Sequence, residues 1–177
     1  VKTLPEKVYA FIDSQNVNLG VKSQGWSLDW GKFRLLLRNK YKVEKAFLFI
    51  GYIEKYKPLY ESLHRKGFIL VFKNVMESKK RGIIKYKGNV DAELVLHAMI
   101  EIENYDKAII ISGDGDFFCL VEYLASKKKL RKILSPNNKY SSLLRIYSKY
   151  IVNIQGFRTQ LEFSKKQKER HSRGKQC

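Results

Sequence analysis

Two cysteines, three prolines and no apolar run of the roughly 20 residues that cross a bilayer set the first limits on this chain of 177 residues. Cys119 and Cys177 are too few for a disulfide framework, and neither sits in a metal-type Cys-x-x-Cys pair. So little proline argues against a linker or a fibre. Hydrophobic residues at 44% and aromatics at 13% are too many for a disordered chain. There is no Walker-type glycine-rich loop and no basic amphipathic helix with a strong apolar face, and no secretory leader is expected. A reducing, cytoplasmic compartment with no membrane partner is the expectation. At this length a single fold buries roughly 70% of its unfolded surface, so it needs no staples.

Acidic residues are scarce too. Asp and Glu number 17 against 35 Lys and Arg, a formal charge of +18. Such an excess carries a self-repulsion cost, and its commonest reason is a polyanionic partner, nucleic acid ahead of anionic membrane.

Apolar stretches of strand length alternate with helix-length amphipathic ones. Strands are expected at Val8–Ile12, Val43–Ile50, Phe68–Val75, Lys107–Ser112, Arg131–Leu134 and Ile151–Ile154. Helices are expected at Trp30–Asn39 after the cap Asp29, about Glu54–Lys66, Val90–Glu103 after the cap Asn89, Phe117–Lys127 and near Ser141–Lys149. Lys79–Gly88 reads as a loop or small hairpin. Near-continuous Val/Ile/Leu runs suit strands covered on both faces, so the alternation argues for an open, mainly parallel α/β sheet. One domain over residues 1–160 is expected, followed by a basic tail at 161–177; the end, SKKQKERHSRGKQC, carries six Lys and Arg.

Where the six aspartates fall is informative. Asp13 follows the first strand in FIDSQN, and Asp114 and Asp116 follow KAIIIS in SGDGDF. Ligands of open α/β sheets bind outside the carboxyl ends of the strands, where strand order reverses; if these two strands are neighbours, three carboxylates meet at one rim. Asp91, in the first turn of its helix, shares a face with Leu94, Val95, Ala98 and Ile102 at helical spacing. Like carboxylates packed together repel unless a cation neutralises them. All-oxygen ligands without His or Cys suit Mg²⁺ or Mn²⁺, and one or two such ions can promote hydrolysis of a phosphodiester. Plainer roles stay open at each position: Asp13 as a turn residue, Asp116 as the N-cap of the next helix, Asp91 as an anion at a helix N-terminus.

Taken together, FIDSQN at 11–16, KGNVDAELVLHAM at 87–99 and IIISGDGDFFCLVEYL at 109–124 resemble the NYN-domain family, LabA-like branch, of the PIN-like ribonuclease fold. The resemblance runs from about Lys7 to Gln155. It implies a three-layer α/β/α sandwich with a mainly parallel sheet and an acidic Mg²⁺ or Mn²⁺ site that hydrolyses RNA. Carried over by position, Asp13, Asp91, Asp114 and Asp116 would hold metal, and Asn16 would position substrate or water. His97 stands where many relatives carry an acidic residue, and Ser14 where many carry Gly. Self-association is a further expectation from the resemblance.

Other residues offer less. His97 is expected on a solvated helix face, His64 and His171 have no visible partner, and Cys119 reads as a buried small hydrophobe. Trp26, Trp30, Tyr52, Tyr56 and Tyr60 could stack bases, although such rings at helical spacing more often build core or rim. Phosphate contacts are expected from Lys79, Lys80, Arg81, Lys85 and Lys87, from Lys127, Lys128 and Lys129, and from the tail. The reading is therefore a Mg²⁺- or Mn²⁺-dependent ribonuclease, with RNA as partner and DNA not separated from it. The alternative is a nucleic-acid-binding protein without nuclease activity. A DxD nucleotide-sugar transferase lacks room for an acceptor domain, and a haloacid-type phosphatase lacks the second aspartate two residues after Asp13.

Overall fold

The structure, a computed structural model, describes residues 5–74, 76–80, 83–87 and 90–164. In chain order it begins with β1 (Val8–Asp13), α1 (Ser14–Lys22), α2 (Trp30–Tyr41) and β2 (Val43–Tyr52). A 3₁₀ turn (Glu54–Tyr56) leads into α3 (Lys57–Arg65), then β3 (Ile69–Asn74), the hairpin strands β4 (Met76–Lys80) and β5 (Ile83–Lys87), and α4 (Asp91–Ile100). Then follow β6 (Lys107–Ile111), a 3₁₀ turn (Gly115–Phe117), α5 (Phe118–Ser126), β7 (Leu130–Ser135), a 3₁₀ segment (Ser142–Tyr150), β8 (Ile151–Asn153), a last 3₁₀ turn (Ile154–Phe157) and α6 (Arg158–Leu161).

Six strands form one sheet in the order β3-β2-β1-β6-β7-β8, every pairing parallel. The chain builds outward from β1 to β3, then returns to the other side of β1 with β6. Strand order thus reverses between β1 and β6, the two strands whose ends carry Asp13 and SGDGDF.

Alternation along β1 explains the layers. Val8, Ala10 and Ile12 face one core with Val17 and Val21 of α1, Phe33 and Leu37 of α2, and Leu63 of α3. Tyr9 and Phe11 face the other, with Leu94 and Ala98 of α4 and Leu120, Val121 and Leu124 of α5. A strand covered on both faces has no polar side to show, which is why VYAFI reads as continuous apolar sequence. The result is the expected α/β/α sandwich.

Several local expectations are corrected. Residues 14–22 had no assignment from sequence, yet form α1, whose Gly20 lies where a Cβ would come within 2.5 Å of the Pro136 ring. The segment after Ser141 is 3₁₀ rather than α-helix, with non-helical dihedrals at Tyr147; only its Leu144 is buried, so little packing enforces α geometry. The capping residue of α4 is Val90, which makes no side-chain cap bond; Asn89 lies outside the described residues. Asp114, not Asp116, caps the turn before α5. Cys119 is exposed rather than buried. His97 does not sit on a solvated face: its ring packs edge-on to Phe49 at 5.5 Å, and its Nδ1 lies 3.1 Å from the Glu93 carbonyl. Packing continues to the end of the described chain, with Leu28 bridged to Glu162 and the Phe163 amide donating to the Ser27 carbonyl.

Candidate active site

Asp13 ends β1 and starts α1. Its Oδ1 accepts the Asn16 amide at 3.0 Å, the usual way an N-cap satisfies a free helix donor. Capping side chains are ordinarily wet, but Asp13 is only 6% exposed. Burial lifts its pKa from 3.8 to about 6, the Asn16 amide opposes that rise, and the charges of Asp91 and Asp114 add to it.

The loop after β6 is held from three sides. Asn16 Oδ1 accepts the Gly113 amide at 2.9 Å, a link between residues 97 apart in sequence. The Ser141 amide donates to the Gly113 carbonyl at 2.9 Å. Within the loop, Ser112 Oγ accepts the Asp114 amide and Asp114 Oδ1 accepts the Asp116 amide. Gly115 is required by close approach: a Cβ there would lie 2.4 Å from Ser141 Oγ and 3.0 Å from Ser141 Cβ.

The third element is α4. Leu94 and Ala98 bury its stripe against the sheet, and Lys73 Nζ at the end of β3 pairs with Glu93 at 2.9 Å. This fixes the helix start, and with it Asp91, over the β1–β6 rim. One carboxylate oxygen from each of Asp91, Asp114 and Asp116 then lies within 4.8 Å of the others. Asp13 stands outside this closest trio but lines the same cavity of about 260 Å³, together with Gln15, Asn16, Leu19, Val90 and the three aspartates. Sequence reasoning missed Gln15, Leu19 and Val90; with α1 unrecognised, nothing brought its first turns to the rim.

All four aspartates and Asn16 therefore meet, and the capping roles coexist with the cluster because each carboxylate has two oxygens. Charges about 4 Å apart repel by about 1 kcal/mol in water and about 4 kcal/mol at an effective dielectric of 20. A trio this close, beside a buried fourth carboxyl, is a site that a cation would relieve. The donor set is all carboxylate oxygen, which fits a hard divalent ion such as Mg²⁺ or Mn²⁺. His97, packed against Phe49, does not line the cavity.

The basic residues divide. The β4–β5 hairpin, with Lys79, Lys80, Lys85 and Lys87 in its strands, joins the end of β3 to the start of α4, so both its roots lie at the acidic rim. Arg81 and residues 165–177 lie outside the described residues. Lys127, Lys128 and Lys129 sit in the turn entering β7, at the opposite end of the sheet. There Lys129 Nζ donates to the carbonyls of Ile102 and Tyr105, at 2.9 and 2.5 Å. No helix among the described residues is long and apolar enough to cross a membrane.

Comparison with known proteins bears on the family and the fold. Residues 7–155 match the family model of the NYN domain. The chain is 22% identical over 165 residues to the low amplitude and bright protein LabA of Synechococcus elongatus, covering 89% of each chain. A crystal structure of a protein of unknown function from Vibrio parahaemolyticus superposes with a TM-score of 0.70 at 23% identity, over 89% of this chain and 96% of that one. That likeness shows the fold.

Proposed function

This chain belongs to the NYN-domain family, and from that premise we propose that it is a divalent-metal-dependent ribonuclease making hydrolytic, endonucleolytic cuts. The observation that carries the reading is the carboxylate trio Asp91, Asp114 and Asp116, beside buried Asp13, at the sheet's switch point in a chain of charge +18. Asp13, Asp91, Asp114 and Asp116 would hold Mg²⁺ or Mn²⁺. Such an ion, when bound, polarises the phosphate and offsets charge that builds in the transition state.

The chain's own residues supply the rest. Asn16 is a positioning residue: it ties the end of β1 to the Gly113 amide, so the carboxylates of two strands keep one spacing. Asp13, with its pKa near 6, is mostly ionised at neutral pH, the form in which a carboxylate accepts a cation. Hairpin lysines Lys79, Lys80, Lys85 and Lys87 would hold the phosphate backbone over the acidic cavity. Net hydrolysis adds water across one P–O bond, leaving a phosphate monoester on one fragment and a hydroxyl on the other.

Calorimetric titration with Mn²⁺ and Mg²⁺, alongside cleavage of single-stranded and hairpin RNA, tests the proposal. Metal uptake and metal-dependent cleavage are expected in the wild type, and loss of both in Asp114→Asn. Tight RNA binding with neither uptake nor cleavage would replace the reading with a nucleic-acid-binding protein.

A further inference from the structure

We propose that a second cleft, between α1 and α3 at the carboxyl end of β2, binds one unstacked nucleobase of a single-stranded substrate; the proposal rests on the nuclease reading for what occupies the neighbouring cavity. The cleft has a volume of about 470 Å³, within the usual range for small-molecule sites. Gln15 and Val90 line both it and the acidic cavity, so the two spaces share a wall. A strand whose phosphate lies over the carboxylates therefore has an adjoining nucleotide at the mouth of the cleft.

The lining suits a base in two respects. Its floor is apolar, from Leu48, Phe49 and Leu63, and Trp30 and Tyr56 add aromatic walls. Tyr60 is a fixed wall: its hydroxyl donates to the Gly51 carbonyl and accepts the Ile53 amide, both at 2.9 Å, and its ring stacks on Tyr52. Tyr56, by contrast, is 42% exposed although it lines the cleft, which leaves ring surface for a base to cover. The α1 side is polar. Ser14, Gln15 and Asn18 offer the hydroxyl and amide groups that read a base edge, and exposed Lys22 brings a positive charge to the rim. Aromatic faces with polar groups opposite are how single-stranded nucleic acid is gripped. A duplex would first have to unpair to enter.

The test uses the full chain with Mn²⁺, so that a phosphate can lie over the carboxylates, and probes whose phosphorothioate linkages resist hydrolysis. Binding of a labelled eight-nucleotide RNA is compared with that of the same ribose-phosphate strand lacking every base, for the wild type and Tyr56→Ala. Stacking of one base on one ring corresponds to about a five- to 150-fold change in affinity. The wild type is expected to prefer the intact strand by more than Tyr56→Ala does, the ratio of the two preferences being at least about fivefold, with Tyr56→Phe restoring it. Trp30 gives a second readout: the intact strand is expected to quench its fluorescence and the base-free strand to leave it unchanged, with the signal lost in Trp30→Phe. A preference ratio below about twofold, or equal quenching by both strands, overturns the proposal. The two readings fail separately. Cleavage in Mn²⁺ without this coupling removes the base site and leaves the nuclease; coupling without cleavage does the reverse.

Discussion

Asp13 caps α1 through the Asn16 amide and is buried, and burial is the largest cause of its pKa of about 6. Because the folded state holds this proton more tightly than the unfolded chain, the stability linked to protonation is fully present below pH 3.8 and is lost as pH rises through about 6. Above that, without metal, keeping the charge buried costs about 3 kcal/mol, on the order of 1.4 kcal/mol per pH unit of displacement. Asp13→Asn keeps an oxygen for the Asn16 amide and removes the charge. In EDTA at pH 8 the variant should melt several degrees above the wild type, at about 2–4 °C per kcal/mol for a chain of this size. The gap should close by pH 4, while metal uptake is lost at every pH. Equal melting temperatures at pH 8 would show that the buried charge is already compensated within the protein. The position of this carboxylate was legible in FIDSQN, because an aspartate directly after a buried strand falls at a sheet rim. Its elevated pKa was not, since it depends first on how deeply packing buries the carboxylate and then on Asp91 and Asp114 arriving from elsewhere in the chain.

Among the elements, the loop after β6 depends on a contact that no local pattern announces. Gly115 lets it lie against Ser141, and the Ser141 amide holds the Gly113 carbonyl. Gly115→Ala drives a Cβ into Ser141, so the loop and Asp116 must shift. Metal affinity should fall by roughly tenfold or more, about 1.4 kcal/mol at least, and Ser141→Gly in the same chain should recover part of the loss. A loop able to absorb the added methyl would show normal titration in the single variant, and the contact would then carry no positioning role. Both strands and the SGDGDF turn were readable because their signals are local: unbroken β-branched runs, then glycine and aspartate. What escaped was non-local. α1 has a polar sequence with only Val17 and Val21 buried at helical spacing beside Ser14, and it holds its place by packing on the sheet and on Pro136. His97 was misplaced because its side chain belongs to the Phe49 contact, which a helical projection of α4 alone cannot contain.

For the whole molecule, a charge of +18 states that a polyanion is the expected partner but not where it lies. Composition treats all lysines alike, whereas the fold separates them. Lys129 is bound to two carbonyls far from the acidic rim, and Lys107 Nζ donates to the Lys128 carbonyl at the same far end. The β4–β5 hairpin is rooted at that rim by the chain itself. Phosphate contacts release counterions, so each adds about 0.7 to the slope of log affinity against log salt for a single strand. Replacing Lys79, Lys80, Lys85 and Lys87 by Gln should therefore lower RNA affinity and flatten the slope by about 0.7 for each lysine that meets a phosphate. Replacing Lys127 and Lys128 by Gln removes charge from the opposite end and should leave the slope nearly unchanged. If both variants flattened it in proportion to the charge removed, RNA would be responding to the net field of the protein. In that case the hairpin would be no more than one part of a diffuse positive surface. A difference between them would mean that the strand runs along one end of the sheet, over the carboxylates, in the place where hydrolysis requires it.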